Sequence, residues 1–385
     1  MGGNALLYAK TGRATADGYR MIMSEVMTKL SDLFKATRMS VVQSVHGKES
    51  FGDGDILLEN KNLPVDWIAQ VVDIFRPNEV MINRTKDGKS HAPPLRFIDP
   101  NMALEPENTF VHDTTHYPVP REHIPCSAIS FDYQGFQIDL IVTEPENFGI
   151  AQVYYAYNDL GNLMGRIADR MGFKYGWNGL WKQLGEGNNI YDTVLVTRGP
   201  EQIFSLLGYD YGRFKMGFET LENMFEFAAS TPYFHRGPYQ FENRNHKDRI
   251  RDEKRASYRA FVAWLENKPW LDKYTWTTYE RNTLTEARKR EKAAWMTVAR
   301  NRFFDFSQRV SMSERTRQLA TEAKKVWNGE VVRQVTGLSG KLLGAFMDRC
   351  RTAQSARLVD GNFDLWISEK SPQEVEAFIR EMLCG

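Results

Sequence analysis

Apolar residues recur along the first part of the chain with two different periods. Over residues 15–36, Met21, Ile22, Val26, Leu30, Leu33 and Phe34 form an apolar face at helical spacing. "MSVVQSV" (39–45) predicts a strand, and "DILLEN" (55–60), after a glycine-rich loop, a second. Pro64 opens a helix through "VDWIAQVVDIF". "SAISFDYQGFQIDLIVT" (127–143) predicts a β-hairpin turning at Gln134-Gly135. Its second strand puts Phe136, Ile138, Leu140 and Val142 on one face and Asp139 on the other. Residues 1–14 read as a loose lead, and 84–126 as a proline-rich loop carrying histidines.

From about 150 to 235 helices and short strands alternate, with Leu221, Met224, Phe225 and Ala228 at the spacing of an amphipathic core helix. After "HRGP", near 236, the texture becomes basic and helical, as in "RNHKDRIRDEKRASYRAF" and "EARKREKAAWMTVARNRFF". "SMSE" (311–314) and "SPQE" (371–374) predict capping-box helix starts. The pattern is that of an α/β (α+β) first part followed by a mostly α-helical last third, with a boundary near 236.

Composition narrows the class. A chain of 385 residues has room for two or three domains. The formal net charge of +1 gives no global electrostatic signature, so a nucleic-acid surface would have to be a local basic patch. Three scattered cysteines, Cys126, Cys350 and Cys384, argue against a disulfide framework. No stretch of about 18 apolar residues is present. The expectation is a soluble, intracellular (cytoplasmic) protein without a membrane partner. Walker A and Gly-x-Ser-x-Gly motifs are absent. His112, His116, His123 and Cys126 have zinc-like side chains but lack the paired spacing of structural zinc, and read as a polar loop. Segments 244–259 and 281–302 read as solvated helix faces, with phosphate-backbone binding as their functional alternative. Trp264, Trp270 and Trp276 read as core.

The chemistry concentrates in "GKESFGDGDILLEN" (47–60). On a strand, residues i and i+2 share a face at roughly 6.5–7 Å, so Asp53 and Asp55 can aim two carboxylates at one point. Alone, an Asp-Gly-Asp segment is more often a solvated turn. Unneutralised, the pair is repulsive and raises a pKa; a divalent cation relieves this, and hard oxygen ligands suit magnesium. Asp139 would complete the site, and two ions about 3.5–4 Å apart serve phosphoryl transfer. The glycines would let backbone N–H groups approach a triphosphate, with Ser44 adding a hydroxyl.

"SVHGKESFGDGDILL" resembles the palm motif of the family X DNA polymerases, the polymerase β-like nucleotidyltransferases: a serine, then Gly-x-x-Ser-x-Gly-Asp-x-Asp-x-Leu-Leu. The matching residues are Ser44, Gly47, Ser50, Gly52, Asp53, Asp55, Leu57 and Leu58. "VYYAYNDLGNLMGRIADRMGF" resembles the family's thumb-entry segment at Tyr154, Tyr155, Asp159, Asn162 and Arg166. "GPEQIFSLLGYDY" (199–211) resembles a later family segment. The resemblance runs over about 39–212 in motif order. It departs from the family where Gln43-Ser44 stands for Gly-Ser, where His46 replaces a triphosphate-binding arginine, and in having about forty residues ahead of the palm, too few for the family's lyase and fingers domains.

The resemblance implies a palm at 1–148 with an N-terminal helix, a thumb at 149–236, and a basic helical nucleic-acid-binding region at 237–385. It implies a metal-dependent DNA polymerase-like nucleotidyltransferase, adding nucleotides to a nucleic-acid 3′-hydroxyl with release of pyrophosphate, in gap-filling of the DNA-repair kind. Asp53, Asp55 and Asp139 would be catalytic and bind two Mg2+ ions, with Mn2+ as a substitute. Ser44, His46, Gly47, Ser50 and Gly52 would hold the nucleoside triphosphate, as would Tyr154, Tyr155, Asp159 and Asn162; Arg166 would contact the template. DNA is the expected nucleic acid ahead of RNA. "VTGLSGKLLGAFMDRC" resembles the tail of bacterial CCA-adding enzymes, so a tRNA or RNA 3′-terminal transferase is the alternative. A non-catalytic nucleic-acid-binding protein on the same scaffold is the third.

Overall fold

A computed structural model describes residues 4–86, 90–101, 114–116, 118–187, 189–279, 285–359 and 361–384. The chain forms two compact units: 1–182 with 195–299, and 183–194 with 300–385. The first is mixed α/β, the second helical apart from the hairpin tip it includes.

The first unit opens with β1 (Ala14–Thr15) and α1 (Ala16–Leu33), then β2 (Met39–Val41), β3 (Ser50–Phe51) and β4 (Asp53–Glu59). Thr15 caps α1, its side chain accepting from the Gly18 N–H. After α2 (Trp67–Phe75) come β5 (Glu79–Lys86), β6 (Ser90–His91), β7 (Leu95–Ile98), β8 (Thr114–His116), β9 (Cys126–Tyr133) and β10 (Phe136–Thr143). The main sheet runs β2-β4-β10-β9-β5-β7-β8, with β6 beside β5. It is mixed: β4 and β10 are parallel, whereas β9 and β10 form the predicted hairpin, with Gln134 and Gly135 at φ 52° and 72°.

Period two then sorts the side chains. Ile56 and Leu58 on β4, with Phe136, Ile138 and Leu140 on β10, bury against Met23, Val26 and Leu30 of α1 and Trp67, Ile68 and Val71 of α2. Met21, expected in that face, is 73% exposed; Met23 takes its place. On the other face Leu57 packs with Phe148 and Ala151 of α3 (Phe148–Tyr155). The aspartates of β4 and β10 belong to that second face.

The lead before β1 is tied down. The buried Glu79 carboxylate accepts from the N–H groups of Leu7, Tyr8 and Ala9 and pairs with Arg96. Ala5 N–H donates to Gln137 Oε1 at 3.0 Å, and Gly12 N–H to the Gly135 carbonyl at 2.8 Å. Glu79 and Gln137 lie far along the sequence, so nothing local announces this anchoring.

Next come α4 (Leu160–Met171), β11 (Lys174–Gly176), β12 (Gly179–Glu186) and β13 (Asn189–Thr197), the last three a separate sheet. α5 (Pro200–Leu207), α6 (Tyr211–Met216) and α7 (Leu221–Ala228) precede α8 (His246–Glu253), α9 (Ala256–Leu265) and α10 (Glu286–Arg302). The compact units therefore part at 299/300 rather than near 236. The cause is visible in the rings: Phe234 stacks on Tyr239, and Phe261 packs against Phe225 and Tyr239, so the chain runs through 236 without leaving its core. Trp276 is buried as expected, but Trp270 is 70% exposed.

The second unit contains α11 (Phe304–Val326), α12 (Gly329–Thr336), α13 (Gly340–Arg357), α14 (Phe363–Ser368) and α15 (Pro372–Cys384). Trp327, Val332, Phe346, Phe363 and Phe378 lie in its core. Ser371 and Glu374 form the expected reciprocal cap of α15. "SMSE" instead lies inside α11, where helix continues on both sides and no cap is needed. No described helix is long and apolar enough to cross a membrane.

Candidate active site

The parallel register sets Asp139 directly beside Asp55, and Gln137 beside Asp53. One carboxylate oxygen each from Asp53, Asp55 and Asp139 falls within 4.8 Å of the others, the one such acidic, histidine or cysteine group among the described residues. Glycine lets this edge of the sheet pack: a Cβ on Gly54 would lie 2.4 Å from the Met23 sulfur. The glycine between the two aspartates thus serves the closeness of α1.

The electrostatics follow from like charges in a poorly solvated place. Burial, then Asp53 and Asp139, push the Asp55 carboxyl up to about 8. Burial also raises Asp139, to about 6, against hydrogen bonds from Ser130 and Gln137. Gln137 Nε2 donates to both Asp139 oxygens at 3.0 and 3.1 Å while its Oε1 takes the Ala5 N–H. The amide is thereby oriented from one side by the N-terminal segment. Tyr19 of α1 stacks on Phe51 at 3.8 Å, and burial with the charges of Asp55 and Asp53 pushes its hydroxyl up to about 12. Lys48 holds its ammonium 4.4 Å from the Phe51 ring centroid; burial lowers its pKa, and Asp53 and Asp55 oppose that.

Of the loop residues expected to hold phosphate, His46, Gly47 and Ser50 already bond within the protein. His46 N–H donates to the Phe218 carbonyl and Gly47 N–H to that of Glu219, at 2.9 and 2.8 Å. A Cβ on Gly47 would meet the Glu219 oxygen at 2.9 Å, so its glycine is explained by protein backbone. The His46 ring lies 3.5 Å from the Glu219 carboxylate. Ser50 Oγ accepts from Arg13 Nε at 2.8 Å. Gly52 is buried beside Asp53, and Ser44 is half-buried just ahead of the turn at 46–47.

Tyr154 and Tyr155 end α3 edge-to-face at 5.5 Å. Burial raises both hydroxyls, and the Asp55 charge adds to the rise of Tyr155. Tyr155 also lines a cavity of about 590 Å³ with Trp67, Ile141 and Trp177. His123 and Cys126 line the same cavity; burial raises the Cys126 thiol to about 12, and His112 lies outside the described residues, as does the side chain of His116.

Two polar residues of this segment, Asp159 and Arg166, are buried, and Asn162 is half-buried between them. Asp159 is buried and bonds Arg255 and Ser257. Arg166, expected to reach a template, is 5% exposed: it donates to Asn162 Oδ1 at 3.0 Å and pairs with Asp252 of α8 at 2.8 Å. Arg244 Nε adds to Asp252 at 3.3 Å. The helical spacing of Asn162 and Arg166 holds, but their shared face meets α8.

Spacing could have found Gln137, two residues before Asp139 on the same strand face, and Lys48 lies within the loop itself. Tyr19 and Arg13 carry no such signal, because α1 and β1 reach the site only through tertiary packing. No protein-family model matches the chain, and none of the curated proteins matches it either.

Proposed function

We propose that the protein is a divalent-metal-dependent nucleotidyltransferase that joins a nucleotide to a nucleic-acid 3′-hydroxyl and releases pyrophosphate. The observation that carries this reading is the convergence of Asp53, Asp55 and Asp139 from two parallel strands, with one carboxylate oxygen of each within 4.8 Å of the others. The donor set fits magnesium or manganese: three hard carboxylates, half-buried and mutually repulsive until a cation arrives. Two bound divalent ions would supply charge for the attacking hydroxyl and the departing pyrophosphate.

The chain's own groups take definite roles under this reading. Asp53 and Asp55 hold the cations, and Asp139 holds one and accepts the hydroxyl proton. Gln137 fixes the Asp139 carboxylate so that both oxygens keep their aim. Tyr155 closes the site toward α3 and excludes water from the reacting end. The likeness of "SVHGKESFGDGDILL" to the family X palm motif supports the same chemistry.

The burial of Arg166 against Asp252 favours a second reading of the acceptor. With that guanidinium spent inside the protein, untemplated 3′-terminal addition needs no rearrangement, whereas template contact by Arg166 requires breaking a buried ion pair. Extension assays on DNA primer-template, single-stranded DNA and RNA lacking its 3′ end, with ribo- and deoxyribonucleotides, decide between them. Template-directed choice of nucleotide supports the polymerase; addition independent of a template supports the terminal transferase; no addition to any acceptor refutes both.

A further inference from the structure

A nucleotidyltransferase must hold a polyphosphate with several negative charges next to three carboxylates, and charged donors are the strong binders of phosphate. Two of the residues expected to do this are occupied: His46 and Gly47 spend their N–H groups on the Phe218 and Glu219 carbonyls, and the His46 ring faces the Glu219 carboxylate. Two cations stand at the mouth of the site instead. Lys48 is half-buried over Phe51, within electrostatic reach of both Asp53 and Asp55. Arg13 is exposed and gives Nε to Ser50 Oγ at 2.8 Å and Nη2 to the Ser50 carbonyl at 2.9 Å. Those two contacts fix the plane of the guanidinium and leave the rest of its five N–H groups for a ligand.

Arg13 owes its position to the paired mini-sheet, in which Ala14 lies opposite Phe51 and Thr15 opposite Ser50. The segment before it is anchored at Glu79, Gln137 and Gly135. The N-terminal segment thus delivers a cation three residues upstream of the Asp-Gly-Asp loop. We infer that Arg13 and Lys48 form the clamp for the polyphosphate of a nucleoside triphosphate, with Ser50 as a positioning residue that aims Arg13. This rests on the nucleotidyltransferase reading of the three aspartates.

Calorimetric titration separates the clamp from that reading. The probes are Mn2+ alone, Mn2+ with inorganic tripolyphosphate, and Mn2+ with non-hydrolysable ATP and dATP. The variants are Arg13→Ala, Lys48→Gln and both together, the charge-keeping Lys48→Arg, a control at Arg20→Ala on α1, and Asp53→Asn. Tripolyphosphate affinity should fall about tenfold for each single clamp variant and about a hundredfold for the pair. Lys48→Arg should recover most of the loss, and Arg20→Ala should lose none. Mn2+ alone should bind the clamp variants as tightly as wild type or more tightly, since a repelling cation has gone, and should be weakened by Asp53→Asn. Circular dichroism melts check that each variant is folded. Folded clamp variants that bind tripolyphosphate within twofold of wild type overturn the clamp while the metal reading stands, as does a wild type that binds Mn2+ without tripolyphosphate. A wild type that binds no Mn2+ overturns the metal reading and the clamp with it. Equal losses for tripolyphosphate and for both nucleotides assign the clamp to the polyphosphate; a loss confined to free tripolyphosphate overturns its role in nucleotide binding.

Discussion

Two groups of ionisable side chains in the first unit differ in how their acids are met. Where α4 meets α8 and α9, Asp252 is buried with Arg166 and Arg244 around it, and Asp159 is met by Arg255 and Ser257. Each acid there has its own base. At the edge of β4 and β10 three acids converge, and the nearby bases, Lys48 and Arg13, stand at the rim. Glu79 behaves like the first cluster, with Arg96 and three backbone N–H groups about one carboxylate. Compensated charge fixes elements against one another. Crowded like charge costs stability, and under the proposed function a cation of opposite sign would relieve it.

The contrast breaks most sharply under mutation. Asp139→Ala should lower nucleotidyl transfer by on the order of 10³-fold or more while the melting temperature stays level or rises, because repulsion is relieved. A variant that keeps wild-type turnover removes Asp139 from the chemistry. Asp252→Ala should do the reverse, costing about 3–5 kcal/mol in denaturant unfolding of the first unit because Arg166 and Arg244 are left buried without their acid. A loss below about 1 kcal/mol would show that cluster to be dispensable.

Acidity sharpens the comparison further. Asp55 and Asp139 are raised to about 8 and about 6, against roughly 3.9 in an unfolded chain. Between about pH 4 and pH 8 these two carboxyls therefore hold more protons in the folded state than in the unfolded one, and their contribution to stability without metal should fall as pH rises through that window. Magnesium should offset the fall, adding about 2.7 kcal/mol at a hundredfold excess over its Kd, and more at pH 8 than at pH 5. Melts in chelator and in magnesium across pH 5–9 measure this; a magnesium effect that does not grow with pH contradicts it. The smallest effect should come from Gly54→Ala, at about 1 kcal/mol or somewhat more, since Met23 must shift from a Cβ that would sit 2.4 Å from its sulfur. A thermal melt unchanged from wild type would show that α1 yields freely.

The sites differ just as much in how far sequence reveals them. Asp53, Asp55 and Asp139 could be read because a strand alternates strictly, and one turn at Gln134-Gly135 sets which residues of β10 face which way. Their adjacency also needed β4 and β10 to pair in parallel with Asp55 opposite Asp139, which no local pattern states. The α4 cluster shows the limit. The four-residue spacing of Asn162 and Arg166 identifies a shared helix face, but whether that face meets solvent or Asp252, 86 residues on, is a tertiary fact. The same holds for the lead at 4–13, whose sequence looks unstructured because its partners, Glu79 and Gln137, sit on distant strands. "SMSE" failed as a helix start because capping residues also occur within helices, where the flanking residues keep the backbone bonds.

The most direct test of the central claim is nucleotide transfer and pyrophosphate release by wild type and Asp139→Asn, in magnesium and in chelator, over the panel of DNA and RNA acceptors. Asparagine keeps the size of the side chain and removes its charge, so the fold has little reason to change. The account predicts label joined to a 3′-hydroxyl with an equal amount of pyrophosphate, dependent on magnesium, and lost in Asp139→Asn. Transfer that persists in that variant or in chelator, or wild type that releases no pyrophosphate with any acceptor, would contradict it.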